Sequence, residues 1–397
     1  MKKKIMLITP MLHQGGFERI CVMTARLLEE NYEVYIAVFS MKDVAFDISG
    51  LQVIDLGLES KPGKVAKILN VWKRSRKLSC IQRKLGIDVS YSFGTTANIA
   101  NALSRGAKKK ITACHSFEEI KSKGYMQLIS RLSDKVLCCS KKMADLVEST
   151  YHFSNVQAMW NPCDVEKIRQ QSMLYDAEGL SFWETDDKVL VSMGREDDVK
   201  GFWHLLKVFR RVAEEKKDVR LAIIGDGNFE EYKRLAEELK LEDKVFFTGL
   251  KKNPFPYLKE SDLYLLTSIS EGLPNALVEA LAVSLPIVSV NCLSGPAEIL
   301  HRDFKTAERQ TEVFEADYGV LTTVLSPEKN LQVVFEEAEG VQKIKLEEAE
   351  ELMARGILML LNDEELYEKY CGLAEERAKN FSKETYLKEL ISCMEAL

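Results

Sequence analysis

Two carboxylates and two cations stand out by their spacing. The run EGLPNALVE, residues 271–279, places Glu271 in a Gly-Pro turn and Glu279 inside an apolar helical pattern. Pro274 suits the first turn of a helix, where a missing N–H is harmless, and Gly272 frees the backbone before it. Amides at such a helix start can serve an anion or a hydroxyl, which makes Gly272, Leu273, Pro274 and Asn275 candidate ligand contacts. Glu279 lies roughly 7–8 Å further along the axis at 1.5 Å per residue. Its neighbours Leu277, Val278, Ala280 and Leu281 are apolar, so its charge needs a partner if buried. A carboxylate can accept from two vicinal hydroxyls, such as those of a ribose. Double displacement at one anomeric carbon needs two carboxyls about 5–5.5 Å apart, which this spacing does not provide. The two acids instead suit different parts of one elongated ligand. In the competing reading, Glu279 is a solvated helix residue and Glu271 an acid favoured by the helix dipole.

The run GREDDVKGF, residues 194–202, carries Arg195 and Lys200. A planar guanidinium and an ammonium together suit a diphosphate; equally, both can pair with Glu196, Asp197 and Asp198. In HQGGFER, residues 13–19, Gly15 and Gly16 let backbone amides approach a phosphate or sugar, or simply make a strand-to-helix turn. GDGNFE, residues 225–230, lacks the third glycine of a dinucleotide fingerprint, and Asp226 makes it a poor phosphate cradle. NCLSGPAEIL, residues 291–300, offers another Gly-Pro helix start with Glu298 in its first turn. His115, one of five histidines, follows an apolar strand pattern and is either structural or a sugar-contacting acid/base candidate. No Cys/His spacing suggests a metal site, and none is expected.

These residues fall in loops after strand patterns. Candidate strands cover 4–9, 33–39, 51–56, 87–92, 109–114, 135–140 and 155–159, then 188–193, 218–225, 243–249, 262–268, 285–290 and 317–322. Helical patterns alternate with them, which predicts parallel sheets covered on both faces. A single sheet of about thirteen strands would be unusually wide, so two doubly wound α/β domains are expected. The seam falls near 160–171, where Asn161-Pro162 signals a turn. Open parallel sheets bind ligands outside their carboxyl ends, so two facing sheets would present two sets of loops across one cleft. Segment 324–344 is polar and loosely patterned, as in a loop or an insertion.

The chain has 397 residues, 46% of them hydrophobic, enough for ordinary cores. No apolar stretch is long enough to span a bilayer. The short apolar run that ends at Pro10 reads as a buried first strand rather than a signal segment. Nine cysteines, mostly in apolar runs, fit a reducing cytoplasm. Charge is divided: net +10 over residues 1–168 and −16 over 169–397. The first half should therefore meet something anionic. Residues 60–87 hold nine Lys/Arg and no acid, with Val65, Ile68, Leu69, Trp72, Leu78 and Ile81 as an apolar stripe at helical spacing. A basic amphipathic helix over about 61–84 suits an anionic membrane surface, or packs on the sheet with a solvated basic face. No nucleic-acid partner is expected.

Taken in order, GGFER, NPCD, GREDDVKGF, IIGDG, EGLPNALVE and SGPAEIL resemble the retaining GT-B glycosyltransferases of the family 4 type, over nearly the whole chain. The resemblance implies an acceptor-binding Rossmann-like domain at 1–165, joined by the final helix (about 381–397), and a nucleotide-sugar-binding domain at 166–380. Glu279 would hold the ribose, and Arg195 and Lys200 the diphosphate. Glu271 and the amides after it would hold the donor sugar. Gly15 and Gly16 would lie against the donor from the other domain, and His115 would approach the sugar. The implied donor is a UDP-sugar, with no metal or other cofactor. The segment around 253–300 is especially similar to members that extend lipid-linked oligosaccharides, which implies a glycan acceptor held at the inner face of the cell membrane. One departure is Ser284, where the family commonly has Gly at a helix end. The competing functions are a non-catalytic GT-B partner subunit and, against the missing fingerprint, an NAD-dependent dehydrogenase.

Overall fold

A computed structural model describes residues 2–13, 15–59, 63–174, 180–338 and 340–397. Of the expected basic element, Lys61 and Pro62 lie outside the described residues, as does the side chain of Val65. The chain divides into two compact units, Met1–Pro162 with Lys383–Leu397, and Cys163–Ser382.

The first unit is built on strands β1 (Lys4–Thr9), β2 (Glu33–Val38), β3 (Gln52–Asp55), β4 (Val89–Phe93), β5 (Lys109–Cys114), β6 (Lys135–Cys138) and β7 (Val156–Ala158). They form one parallel sheet in the order β3-β2-β1-β4-β5-β6-β7. Near-continuous apolar runs such as IMLIT suit strands covered on both faces, and Ile5, Met6, Leu7 and Ile8 are fully buried. The final helix, Lys383–Glu395, packs into this unit. Its Tyr386, Leu390, Cys393 and Met394 join a core of Ile5, Leu7, Ile20 and Leu28. The Tyr386 hydroxyl lies 3.0 Å from that of Thr24.

The second unit contains β8 (Lys188–Met193), β9 (Val219–Ile224), β10 (Val245–Gly249), β11 (Leu263–Leu266), β12 (Ile287–Val290), β13 (Phe314–Glu315) and β14 (Val320–Thr322). Their order is β10-β9-β8-β11-β12-β14-β13, parallel except for β13. Segment 324–344 contains a hairpin, β15 (Phe335–Ala338) and β16 (Val341–Ile344). Before the hairpin, Lys329 reaches Asp198 at 2.8 Å, and the Ser326 carbonyl lies 3.0 Å from His204 Nε2. The other ring nitrogen of His204 meets the buried Glu350 at 2.6 Å, which anchors the start of helix Phe202–Glu215. Ser284 adopts φ 62, the left-handed cap that its place at the helix end requires.

The basic helix, Lys64–Leu85, departs from the expected stripe. Leu78 is buried, but Ile68, Leu69 and Trp72 are 70%, 54% and 57% exposed. The reason is angular: at about 100° per residue, Leu69 lies roughly 180° from Leu78 and Trp72 roughly 120° away. Polar side chains point inward instead. Arg74 donates to the Leu58 carbonyl at 3.0 and 2.7 Å and sits 4.1 Å over the Phe39 ring. Asn70 donates to the Glu59 carbonyl at 2.6 Å.

Candidate functional site

In each sheet the chain reverses its winding at one point, and ligands bind outside the carboxyl ends there. In the second unit that point is the adjacent pair β8 and β11. The loop after β8 carries Arg195 and Lys200; the loop after β11 carries Glu271. Their ends are stitched together. Ile269 N–H donates to the Val199 carbonyl at 2.8 Å, and the Thr267 hydroxyl to the Lys200 carbonyl at 3.0 Å. Asp197 folds the turn by accepting from Val199 N–H at 3.1 Å. Across this seam Lys200 Nζ donates to Glu271 Oε1 at 2.6 Å. The ammonium has further protons to give, so the pair can admit an anion without dissolving.

Gly201 sets this geometry. It has φ 63, and a Cβ there would stand 2.3 Å from the Thr267 carbonyl oxygen. A left-handed non-glycine residue costs about 1–2 kcal/mol, and overpacking typically adds about 1–3 kcal/mol. Gly201→Ala is therefore expected to lower the stability of the second unit by about 2 kcal/mol or more. A urea midpoint equal to the parent's would refute the close approach.

Arg195 stands apart, its side chain 74% exposed and its guanidinium 3.8 Å from the Asp197 carboxylate. Glu196 turns inward: its carboxylate accepts from Phe229 N–H at 2.9 Å, and its own N–H donates to the Asp226 carbonyl at 2.7 Å. A carboxylate thus occupies the GDG turn, where a phosphate would be repelled.

Helix Asn275–Ala282 begins one residue after Pro274, and Glu279 within it is only 5% exposed. Residues that the sequence did not single out join the two acids. Tyr264, on β11, is fully buried; burial raises its phenol well above the usual range, and the charges of Glu279 and Glu271 raise it further. Cys292 is pushed up to about 12, first by burial and then by the charge of Glu271. Ser294 donates to the Gly272 carbonyl at 2.7 Å, tying the loop after β12 to the one after β11. The buried Ser268 hydroxyl has no partner among the described residues. Ser268, Cys292 and Ser294 lie just past strand ends, which could have flagged them, whereas Tyr264 lies within β11.

In the first unit, Gly15 precedes helix Gly16–Leu28, and the Glu18 carboxylate lies over it, 2.2 Å from where a Cβ would stand. That negative charge favours a hydroxyl over a phosphate at this turn. Beside Gly16 the Cβ position faces open space. His115 follows β5 and stacks near the rings of Phe17 and Phe93, at centroid distances of 6.4 and 5.8 Å. Burial lowers its pKa to about 4, against the opposing hydrogen bond that the Asn161 side-chain oxygen accepts from the ring. Glu119 accepts from His115 N–H at 2.7 Å and from the Thr95 hydroxyl at 2.8 Å, and burial holds its carboxyl above the usual range. Among the described residues no three His, Cys, Asp or Glu side chains converge as a metal site. No helix among them is long and apolar enough to cross a membrane.

This two-sheet architecture is shared with solved structures. A glycosyltransferase from Rickettsia africae superposes with a TM-score of 0.75 at 16% identity, over 100% of this chain and 98% of that one. Anabaena HepE, crystallised with UDP-glucose, gives 0.73 at 18% identity, over 99% and 100%. The fold is GT-B. Within the GT-B chain, residues 180–308 match the family model "Glycosyl transferases group 1". An uncharacterised glycosyltransferase of Methanocaldococcus jannaschii is 31% identical over 65% of this chain, which spans 63% of that relative's length. A second relative is 26% identical over 94% of both chains. It is the N-acetylgalactosamine-N,N'-diacetylbacillosaminyl-diphospho-undecaprenol 4-alpha-N-acetylgalactosaminyltransferase of Campylobacter jejuni. Together these findings show a GT-B fold and a likeness to group 1 glycosyltransferases.

Proposed function

We propose that the chain is a retaining glycosyltransferase that moves a hexose or N-acetylhexosamine from a UDP-sugar to a lipid-linked glycan. The observation that carries this reading is the Lys200–Glu271 pair at the switch point, with the buried Glu279 on the following helix. In the reaction, the bond from the anomeric carbon to the diphosphate breaks and a bond to an acceptor hydroxyl forms on the same face. The acceptor proton passes to the departing diphosphate. Lys200 and Arg195 offset the charge that develops there, Glu279 accepts from the ribose hydroxyls, and Glu271 with the amides of 272–275 contacts the sugar. No second carboxylate is needed at the anomeric carbon. The UDP-glucose complex of Anabaena HepE supports the donor, and the Campylobacter relative's diphospho-undecaprenol substrate supports the acceptor class. A non-catalytic scaffold subunit is not favoured, because the charged set is present together.

The first test is UDP release from a panel of UDP-sugars with a lipid-linked acceptor, beside thermal shift with UDP or NAD. UDP at 100 times its dissociation constant should add about 2.7 kcal/mol, and NAD nothing. Stabilisation by NAD alone would overturn the reading.

The outward Ile68, Leu69 and Trp72, with Arg76 lying 5.2 Å from the Trp72 ring, fit docking on an anionic bilayer. Burying one such side chain is worth about 1.5–3 kcal/mol. The triple serine variant is therefore expected to bind phosphatidylglycerol vesicles at least about tenfold more weakly in flotation assays. Wild-type binding should weaken as salt rises. Equal flotation of both proteins would dismiss this surface.

A further inference from the structure

We infer that Asn161 is a positioning residue that holds His115 in one neutral tautomer, with Nε2 bare and ready to accept from a sugar hydroxyl. His115 Nδ1 lies 3.2 Å from Asn161 Oδ1. An amide oxygen only accepts, so Nδ1 carries the hydrogen and the neutral ring leaves a lone pair on Nε2. That atom is closed off and has no hydrogen-bond partner among the described residues. An unsatisfied buried acceptor is unfavourable, a deficit that an arriving donor removes. Several contacts keep the ring from turning to satisfy itself. Phe17 and Phe93 stack on it, and Glu119 fixes the backbone through His115 N–H. Asn161 is itself buried.

The ionisable groups near the ring are Glu119, Cys114 and Tyr125. Burial raises Glu119 and Tyr125, while Cys114 is raised first by its hydrogen bond with Cys138 and then by burial. Burial of the ring itself lowers its pKa to about 4, so it acts as an acceptor and not as an acid near neutral pH. The hydroxyl's identity as a sugar's rests on the glycosyltransferase reading; the tautomer does not.

The test uses full-length protein with 15N-labelled histidine. Long-range 1H–15N spectra identify His115 as the signal missing from His115→Gln. Hydrogen on Nδ1 and a bare Nε2 at pH 7 are expected. Asn161→Asp keeps an acceptor but adds a charge that favours the imidazolium, which raises the protonation midpoint by about one pH unit or more. UDP release from UDP-glucose or UDP-N-acetylglucosamine by this variant should then fail as pH falls through the raised midpoint, a limb that the parent lacks above about pH 5. Asn161→Leu should lose at least tenfold in kcat/KM. Hydrogen on Nε2 in the parent, or parallel pH profiles for the parent and the Asp variant, would overturn the inference. Absence of UDP release from every donor would instead remove the proposed reaction and the sugar assigned to Nε2, while the spectra still decide the tautomer.

Discussion

Lys200→Ala is expected to reduce kcat for UDP release by two to three orders of magnitude, about 2.7–4 kcal/mol of transition-state stabilisation. The ammonium is held by Glu271 at 2.6 Å and by a backbone stitched across β8 and β11, so it is oriented before charge develops on the leaving diphosphate. A pre-aimed cation needs no reorganisation at the moment of reaction. Its side chain is a quarter exposed, and ion pairs of that kind add roughly 0–1 kcal/mol to stability. The variant should therefore unfold in urea close to the parent. Lys200→Arg, which keeps charge but spreads it over a planar fork, should recover only part of the rate. Turnover within tenfold of the parent at saturating donor would show that the ammonium does not face the leaving group.

The second large effect concerns Glu279. It is 5% exposed on a helix otherwise packed by Leu277, Val278 and Leu281. Hydrogen bonds to a charged group contribute about 1.5–3 kcal/mol each, so losing two to a ribose should weaken UDP binding by about 100-fold or more. Glu279→Leu preserves volume and removes a buried charge, so the fold should persist while affinity falls. The sharper readout is selectivity. The parent should prefer UDP to 2'-deoxy-UDP, and Glu279→Leu should bind the two alike. Calorimetry that found the same preference in both proteins would place the ribose elsewhere.

The parallel strands were legible because burial on both faces leaves uninterrupted apolar runs; β5 and β8 start and end where the residues suggest. The run over 135–140 stops early, at Cys138, because Ser140 caps the next helix by accepting from Met143 N–H at 3.2 Å. The hairpin β15–β16 is hard to read from the residues because its strands, FEEA and VQKI, are only four residues each and half polar. At the site, Lys200, Glu271 and Glu279 could be singled out by type and spacing. The bond between Lys200 and Glu271 could not, since it exists only because β8 and β11 are neighbours. Tyr264 and Cys292 lie in or just past apolar strands and look like core residues. Asn161 reads as a turn former, and nothing local shows that its amide meets a ring far earlier in the chain.

The closing helix has a consequence for synthesis. Tyr386 and Leu390 complete the core around β1, yet they are made long after Pro162 has left the ribosome. At about 5–20 residues per second, the first unit waits on the order of ten seconds or more with Ile5, Leu7 and Leu28 incompletely covered. During that interval the nascent chain is a client for holding factors, and a ribosome that stalls within the second unit leaves behind a first unit prone to stick to its neighbours.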